Sequence, residues 1–545
     1  MFEKDNRTET VSRPTDAEND EGLLASLGYK QELKRQFKPL EIFGIAFSII
    51  GIAPALSSVL IYSLPNGGAF AMVWGWTVCS IFIAAIALAM GDLASAAPTS
   101  GGLYYWTFMF SSEKWRCVLC WIVGYSNTIS NVASVASIDW GCALQIMAAV
   151  SIGSDLTFEA TVPQTFGLYC ALLLCHALIC SINPKFMARL QIFFVILNIL
   201  LCFAIIIGLP AVTPKEFRND AKFAFEDFTN VSGWPNGFAF ILSFLTPLWG
   251  VGCFDAPVHM SEEATNASTA VPMAIIFSTF AATVLGWGES PCHYTTTVSW
   301  QLTSLRRKAM NISLVFCMGR DYQTIIDSPI GQPMATILFN SFGRIGTLIV
   351  WSFIILAQFA IGAGILTTCS RQIFAFSRDG GFPLSRWVYY VNPRTRIPSH
   401  AVWFGTFLSL LLGILAFAGE NAIGAVFSLV ITGQYVSYSI SMAARFLGGK
   451  TVHPGPFRLG LFSLPVAAIA VTWMVFMTVV FMFPLAPSPG RVISCVDAGP
   501  AGGVLVLSVV YFYCPIYGGI YWFKGPVSTV EAPAIQVKEV EDEKE

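Results

Sequence analysis

Charged residues are scarce in this chain: Asp, Glu, Lys and Arg make up 12% of its 545 residues, about half the usual share of a soluble protein. The net charge of −2 gives no indication of nucleic-acid binding. Instead, 55% of the residues are hydrophobic and the mean hydropathy is +0.64. This composition excludes an ordinary soluble domain and predicts an all-α polytopic membrane protein.

Sequence signals for catalysis are also missing. The chain has five histidines but no His-Glu-x-x-His motif, Walker loop or nucleophile elbow, so neither a metal site nor a hydrolytic site is predicted. The fourteen cysteines are scattered through apolar segments, and Cys117-x-x-Cys120 has no matching pair. They are interpreted as small hydrophobic side chains. We expect no cofactor and no enzymatic activity.

Polar residues divide the chain into three regions. Residues 1–38 are interpreted as a disordered cytosolic tail without a cleavable signal peptide, ending near a short amphipathic helix over 27–40. Residues 39–524 form the predicted transmembrane domain, and 525–545 form a second cytosolic tail. Twelve hydrophobic spans are predicted, at roughly 40–64, 69–90, 116–148, 165–182, 189–210, 236–260, 270–319, 344–369, 400–418, 421–444, 461–484 and 500–523.

The positions of Lys and Arg predict the orientation of these spans. With the N-terminus inside, seventeen of these residues flank the inner ends of the spans and six flank the outer ends. Because cytosolic loops carry the excess of Lys and Arg, both termini are predicted to be cytosolic.

The seventh span contains an anomaly. Residues 288–309 are polar and separate two apolar pieces, 272–287 and 310–319. The second piece is too short to cross a bilayer, whereas the two pieces joined would give one span of 26 residues. We interpret 288–309 as an unspliced intron in the gene sequence. A genuine re-entrant or extramembrane loop is the alternative.

Two other spans contain residues that interrupt helices. The middle of the first span reads Gly51-Ile52-Ala53-Pro54, and the sixth contains Pro247, Gly250, Gly252, Asp255 and Pro257 within 246–257. A helix broken at mid-membrane frees N–H and C=O groups, which only a protein cavity or a ligand can satisfy. Paired interruptions in corresponding halves of a chain indicate a transporter binding site. A proline kink tolerated by neighbouring helices is the alternative.

Four stretches carry a family pattern: LGYKQELKRQF before the first span, PTSGGLYYW at 98–106, FDAPVHMSEEATNAS at 254–268 and SRQIFAFSRDGGFPLS at 370–385. They resemble fungal members of the amino acid–polyamine–organocation superfamily, with the closest likeness to the GABA and choline permease group. The resemblance implies a leucine-transporter-like core of two inverted five-helix repeats plus two further helices. It also implies that spans 1 and 6 are unwound and that spans 3 and 8 complete the site. Relatives occur in the plasma membrane, which we expect here, and in the vacuolar membrane.

The predicted substrate site combines these spans. The outer half of the first span would direct free N–H groups at a substrate carboxylate, while aromatic side chains of the sixth would bracket the ligand and attract its ammonium. The alternatives are that the serines bond back to their own helix and that the aromatics only pack. The candidates are Gly51, Ile52, Ala53, Pro54, Ser57, Ser58, Trp249, Gly250, Gly252, Phe254, Asn131 and Gln358.

Two acids lie deep inside spans and are candidates for carrying the coupling proton. Placing the carboxylates of Asp255 and Asp139 inside a membrane span costs free energy, and acids in such positions are usually functional. Asn127 and Asn131 precede Asp139 by 12 and 8 residues, so the three are predicted to form one polar stripe facing the cavity. A structural cap for Asp255 and helix–helix hydrogen bonding for Asp139 are the alternatives.

Opposite charges flank the inner ends of spans 6 and 8. Glu262 and Glu263 follow the sixth span, and Arg371 and Arg378 follow the eighth. They are predicted to form an inner gate, with solvated loop charges as the alternative.

The function predicted is a secondary transporter that takes up a small amino acid or amine such as GABA, coupled to protons by alternating access. A choline or polyamine transporter of the same fold is the first alternative. A nutrient sensor would usually carry longer tails, a membrane-embedded enzyme would need clustered catalytic side chains, and a channel would need a pore-lining polar stripe.

Overall fold

The computed structural model describes residues 16–182, 184–287, 310–449, 454–484, 487 and 500–530. The anomalous segment 288–309 lies outside these residues, and so do 1–15 and 531–545 of the two predicted tails.

The described chain is helical apart from its loops and two short antiparallel strands, β1 (Asn66–Gly67) and β2 (Thr229–Asn230). The α-helices are α1 (Asp16–Ser26), α2 (Pro39–Ile50), α3 (Ile52–Ser63), α4 (Gly68–Ala96), α5 (Gly102–Phe110), α6 (Arg116–Gly153), α7 (Val162–Ile182), α8 (Pro184–Phe203), α9 (Leu209–Val212), α10 (Ala221–Glu226), α11 (Asn236–Leu242), α12 (Leu245–Gly250), α13 (Ala256–His259), α14 (Ala267–Trp287), α15 (Met310–Cys317), α16 (Tyr322–Ile326), α17 (Pro333–Arg378), α18 (Ser385–Val388), α19 (Ser399–Gly413), α20 (Glu420–Leu447), α21 (Ser463–Val480), α22 (Pro500–Tyr513) and α23 (Gly519–Trp522). Between them lie a π-turn at Ala204–Gly208 and 3₁₀ turns at Lys215–Phe217, Ser261–Glu263, Ile414–Ala418 and Gly460–Phe462.

Ten helices of the described chain are long and apolar enough to cross a membrane. They correspond to ten of the twelve predicted spans and confirm an all-α polytopic protein. The other two spans are shorter in the structure. The sixth is divided among α11, α12 and α13, and the twelfth contains the 14-residue helix α22. The eighth is longer than predicted, because α17 runs over 46 residues with a change of direction at Gly343, where φ is 66°.

The first span is the most enclosed of these segments. In an 18-residue apolar window of Pro39–Ser63, 94% of the residues are buried, whereas the corresponding share is 39% in the spans of α7 and α21. Helices α17 and α20 both pack on α6, and α14 packs on α2 and α4. Helix α3 packs on α12. The two broken spans therefore meet inside the bundle, surrounded by the helices whose outer faces are exposed.

The two pieces of the seventh span end next to each other. The Nδ2 atom of Asn311, in α15, donates to the carbonyl oxygen of Gly286, in α14, at 3.1 Å. Helices of 21 and 8 residues thus meet at the ends that residues 288–309 connect. The interpretation of 288–309 as an unspliced intron falls on residues outside the described chain and stays a prediction.

The N-terminal segment differs from the sequence prediction. Residues 27–38 do not form the predicted amphipathic helix, and the segment from α1 onward is held against the transmembrane domain. The backbone N–H of Phe37 donates to the Glu263 carbonyl at 3.1 Å, and that of Thr265 donates to the Phe37 carbonyl at 2.9 Å. The prediction was wrong because main-chain pairing with the loop after α13 competes with helix formation and leaves no trace in hydrophobic periodicity.

Candidate functional site

A cavity lies between the two interrupted spans. It is lined by side chains from six helices and by the opened main chain of the sixth span: Ile49, Ile50, Ala55, Ser134, Ile138, Trp249, Gly252, Cys253, Gln358, Ile361 and Val430. None of these side chains is charged. The cavity volume is about 20 Å³, which is room for about one water molecule. A solute therefore requires this space to widen.

The break in the first span is a single left-handed residue. Gly51 has φ 36° and ψ 74°, so α2 ends at Ile50 and α3 begins at Ile52. A Cβ atom at Gly51 would lie 2.3 Å from Cδ1 of Ile361. The conformation and the close approach of α17 both require glycine.

The start of α3 supplies fewer unpaired donors than the sequence predicts. The N–H of Ala55 donates to the Gly51 carbonyl at 2.9 Å, and Pro54 has no N–H. The backbone N–H of Ala53 faces the thiol of Cys202. The N–H of Ile52 is one of the helix-initial donors that a helix does not satisfy internally. A ligand anion at this end would compete with Cys202 for Ala53.

Ser57 and Ser58 lie away from the cavity. Both hydroxyls donate back to the carbonyl of Pro54, at 2.7 and 3.0 Å. Gln145 of α6 donates its Nε2 to both hydroxyl oxygens, at 2.6 and 3.1 Å. This is the arrangement of the alternative interpretation, in which the serines bond to their own helix. Their visible role is to tie α3 to α6.

The sixth span opens between α12 and α13. Cys253 adopts a positive φ of 56°, and a Cβ at Gly252 would lie 3.0 Å from the Trp249 carbonyl oxygen. Trp249 and Gly252 line the cavity, and Gly250 lies where α12 passes Ala55 of α3.

The two aromatic candidates of the sixth span have different surroundings. Trp249 donates its Nε1 to the Ser137 hydroxyl at 3.3 Å and keeps its ring at the cavity. Phe254 is not among the cavity-lining residues and packs against Tyr438, with ring centroids 5.6 Å apart. For Phe254 the structure agrees with the packing alternative.

The third and eighth spans complete the cavity, through residues that were only partly predicted. Gln358 lines it, donates its Nε2 to the Ile138 carbonyl at 3.1 Å and leaves its buried Oε1 without a partner among the described residues. Asn131 instead bonds to the Asn127 carbonyl at 2.9 Å. Ser134 and Ile138 face the cavity in its place. Their spacing of four residues was the available sequence signal.

The predicted stripe through Asn127, Asn131 and Asp139 is wrong for Asp139. Eight residues turn a helix about 80° past two full turns, which directs Asp139 toward α7. There its carboxylate lies 3.0 Å from Nδ1 of His176, and both side chains are fully buried. Gly362 of α17 covers the pair, since a Cβ there would lie 2.5 Å from Asp139 Oδ1.

Asp255 belongs to a second buried cluster with a histidine. Its Oδ2 accepts from Asn127 Nδ2 at 3.2 Å and lies 3.3 Å from His259 Nε2. The other ring nitrogen of His259, Nδ1, lies 3.0 Å from the carbonyl oxygen of Ser100. Asp255 follows the cavity residue Cys253 by two positions, so this cluster lies next to the cavity along the chain.

The four charged residues at the inner ends form two buried ion pairs. Arg371 Nε lies 2.7 Å from Glu263 Oε1, and Arg378 lies 2.9 Å from Glu262. All four side chains are at most 3% exposed, so they are not solvated loop charges. The pairs connect the loop after α13 with the end of α17.

Both ends of the chain cover these ion pairs. The ring of Tyr29 lies 3.9 Å from the Arg378 guanidinium, and the Tyr29 hydroxyl donates to Asp379 at 2.8 Å. Tyr104 donates to the same carboxylate at 2.7 Å, and the backbone N–H of Val527 donates to it at 3.1 Å. Burial raises the pKa of Asp379, against the lowering effect of Arg378 and these donors. The sequence did not predict that the segments around Tyr29 and Val527 cover the ion pairs.

Comparison with known proteins shows what kind of protein carries this arrangement. A family model described as amino acid permease matches residues 37–493. The chain is 36% identical over 517 residues to an uncharacterized amino-acid permease of Schizosaccharomyces pombe, covering 95% of this chain and 90% of that protein. It is 36% identical over 471 residues to the GABA-specific permease of Saccharomyces cerevisiae, covering 86% and 79%. It is 32% identical over 520 residues to amino-acid permease 2 of Neurospora crassa, covering 94% and 89%.

These matches extend through both broken spans, the cavity and the inner ion pairs. They place the chain among membrane transporters rather than enzymes. The chain is an integral, multi-pass membrane protein that belongs to the amino acid permease family.

Proposed function

We propose that this permease takes up a small zwitterionic amino acid, with GABA as the first candidate, together with protons. The observation that carries the proposal is the uncharged cavity between two opened helices. A substrate without net charge fits that lining, because a cavity without charged side chains leaves a net charge uncompensated. The similarity to a GABA-specific permease supports the same choice.

Each end of such a substrate has a matching group. The carboxylate is placed at the start of α3, near Ile52 and Ala53, where the helix dipole and its first N–H groups favour an anion. The ammonium is placed against the Trp249 ring and the Oε1 of Gln358, which has no hydrogen-bond partner in the described part of the chain. The cavity widens to admit the solute when the outer halves of the bundle separate.

The coupling proton is assigned to Asp255, the buried acid beside the cavity, rather than to Asp139, which faces α7. The ion pairs of Glu262 with Arg378 and of Glu263 with Arg371 act as the inner gate, closed in this conformation. We assign both termini to the cytosol and the protein to the plasma membrane, so that transport runs inward.

Uptake in permease-deficient yeast tests this function. Labelled GABA is offered with and without excess choline, and with and without a protonophore. The proposal expects uptake that resists choline and falls when the proton gradient is removed. Uptake of choline that GABA does not inhibit would instead identify a choline transporter, and uptake that the protonophore leaves unchanged would refute proton coupling.

A further inference from the structure

The hydrogen bonds around Asp255 and His259 determine how many protons the pair holds. Nδ1 of His259 lies 3.0 Å from the carbonyl oxygen of Ser100, and Nε2 lies 3.3 Å from Oδ2 of Asp255. A carbonyl oxygen only accepts, so Nδ1 must carry a hydrogen. A neutral ring would then direct the Nε2 lone pair at the Asp255 carboxylate. The observed contact is attractive only when one additional proton lies between Nε2 and Oδ2.

The other buried pair, Asp139 with His176, has no such requirement. Nδ1 of His176 faces the Asp139 carboxylate, and Nε2 has no hydrogen-bond partner within the described part of the chain. A neutral ring that donates its Nδ1–H to a charged carboxylate satisfies this contact completely. The two pairs therefore differ in the proton count that their geometry demands.

The proton of the first pair is connected to the inner gate through Ser100. The carbonyl of Ser100 accepts from His259, and its N–H donates to Oε1 of Glu262 at 3.1 Å. Glu262 in turn binds Arg378 through both carboxylate oxygens. At the opposite end, Cys253 lines the cavity two residues before Asp255. A chain of contacts thus runs from Asp255, two residues from the cavity, to the gate.

We propose that Asp255 and His259 form a proton-binding site whose occupation keeps the inner gate closed. One proton from the outer side changes the charge of the pair from −1 to 0 and makes the Nε2–Oδ2 contact attractive. Release of that proton to the inner side restores the charge of −1. The contact becomes repulsive, His259 withdraws from Ser100, and Ser100 no longer positions Glu262 against Arg378. This rests on the proposed coupling proton at Asp255 and adds His259 as the second member of the site and the effect of the proton on the gate.

Other titratable and charged groups surround the pair. Cys253 and Tyr438 are within electrostatic reach of Asp255. The ion pairs of Glu262 with Arg378 and of Glu263 with Arg371 lie one step further toward the inner side. Both of these ion pairs are neutral as units, so the charge of the Asp255–His259 pair is the one that proton binding changes.

Three substitutions separate this role from a structural one. Asp255→Asn removes the ionisable carboxylate, so the pair carries no negative charge at any pH and keeps the charge of the proton-occupied state. His259→Phe keeps an aromatic ring but removes the bond to Ser100. Asp139→Asn is the matched control, because it neutralises the other buried acid that faces a histidine.

A cysteine placed between cavity and gate reports on gate opening. Thr368 follows the cavity residue Ile361 by seven positions and precedes Arg371 by three, so it shares their face of α17. It is fully buried and, among the described residues, bonds only to carbonyls of its own helix, at 2.9 and 3.4 Å. Thr368→Cys is introduced into the full chain in liposomes. Maleimide labelling of that residue from the inner side is followed by mass spectrometry, which distinguishes it from the native cysteines.

Each labelling rate is divided by the rate at which the same maleimide labels free cysteine at that pH, because only the thiolate reacts. The expected result is a normalised rate that rises about tenfold between about pH 5.5 and about pH 8, because proton affinity and gate closure are reciprocally linked. The Asp139→Asn background should show the same rise. Asp255→Asn should label slowly at both pH values, and His259→Phe should label rapidly at both. An unchanged pH response in Asp255→Asn, or no pH response in the parent, would overturn the proposal. If Asp255→Asn does not fold, His259→Phe provides the test, because its labelling rate is expected to be high at both pH values. A parent-like pH response in His259→Phe would overturn the proposal.

Uptake of labelled GABA by the same liposomes reports separately on the transported substrate. Absence of uptake with intact pH-dependent labelling would refute GABA as the substrate and leave the proton site standing. Normal proton-driven uptake with pH-independent labelling would refute the proton site and leave the proposed function standing.

Discussion

The guanidinium of Arg378 binds the carboxylate of Glu262 through two hydrogen bonds, from Nη1 at 3.0 Å and from Nη2 at 2.9 Å. The two side chains are 1% and 0% exposed. Arg378 is the last residue of α17, whose middle lines the cavity, and Glu262 follows the opened sixth span. The pair therefore joins the inner ends of the two segments that must separate when solute leaves inward.

Glu262→Gln should impair transport strongly. The substitution leaves the buried Arg378 without its counter-charge, which costs about 3–5 kcal/mol for a buried ion pair and destabilises the closed inner gate. We expect the initial rate of labelled GABA uptake to fall at least about tenfold. The measurement uses equal amounts of protein in the membrane. Glu113→Gln, at an exposed glutamate in the loop before α6, is the control, and equal uptake by the two variants would contradict the gate.

Gly51→Ala should abolish or greatly reduce uptake. A residue with a Cβ pays about 1–2 kcal/mol in the left-handed region, and the added methyl would lie 2.3 Å from Ile361 Cδ1. The break would shift and change the cavity. Gly44→Ala is the matched control on the same span, because its Cβ would meet only Val195 Cγ2 at an ordinary 3.6 Å. Wild-type uptake by Gly51→Ala would count against the importance of the break.

Trp249→Leu and Phe254→Leu should have unequal effects on substrate affinity. The Trp249 ring lines the cavity and is placed against the substrate ammonium, an interaction worth about 2 kcal/mol when desolvated, so KM should rise about thirtyfold. Phe254 packs on Tyr438 outside the cavity, so its substitution should lower the thermal stability more than it changes KM. Kinetics of labelled GABA uptake, with unfolding curves of the purified variants, check both. A larger KM change for Phe254→Leu would reverse the assignment.

Deletion of residues 288–309 should preserve or increase transport. With these residues removed, Asn311 would follow Gly286 by three positions, a spacing at which helix residues are neighbours. Their existing 3.1 Å contact would then lie within one continuous helix. Uptake per correctly folded protein, compared between the full chain and the deletion, is the measurement. If the full chain transports and the deletion variant does not, the segment is a genuine part of the permease.

The sequence was sufficient for features that depend on local backbone chemistry. Gly51 and the pair Gly250 and Gly252 predicted the two breaks, because glycine and proline change the backbone conformation at their own positions. The directions in which side chains point were harder to predict from the sequence. Asp139 was assigned to the cavity face from a spacing of eight residues, which misses that face by about 80°.

Contacts between distant parts of the chain were the hardest to predict. The burial of Glu262 and Arg378 depends on Tyr29 and on the C-terminal segment near Val527. Their covering role arises from tertiary contacts that no local pattern encodes. The bonding of Ser57 and Ser58 to Pro54 was foreseen only as an alternative, since a hydroxyl near a helix start serves a ligand or its own helix equally well.

The most direct test is a cryo-electron microscopy structure of the purified permease with GABA bound. The account predicts a ligand between the two opened spans, with its carboxylate within hydrogen-bonding distance of the backbone N–H groups of Ile52 and Ala53 and its ammonium against Trp249. A ligand bound elsewhere, or a first span with continuous helical hydrogen bonding through Gly51, would contradict it.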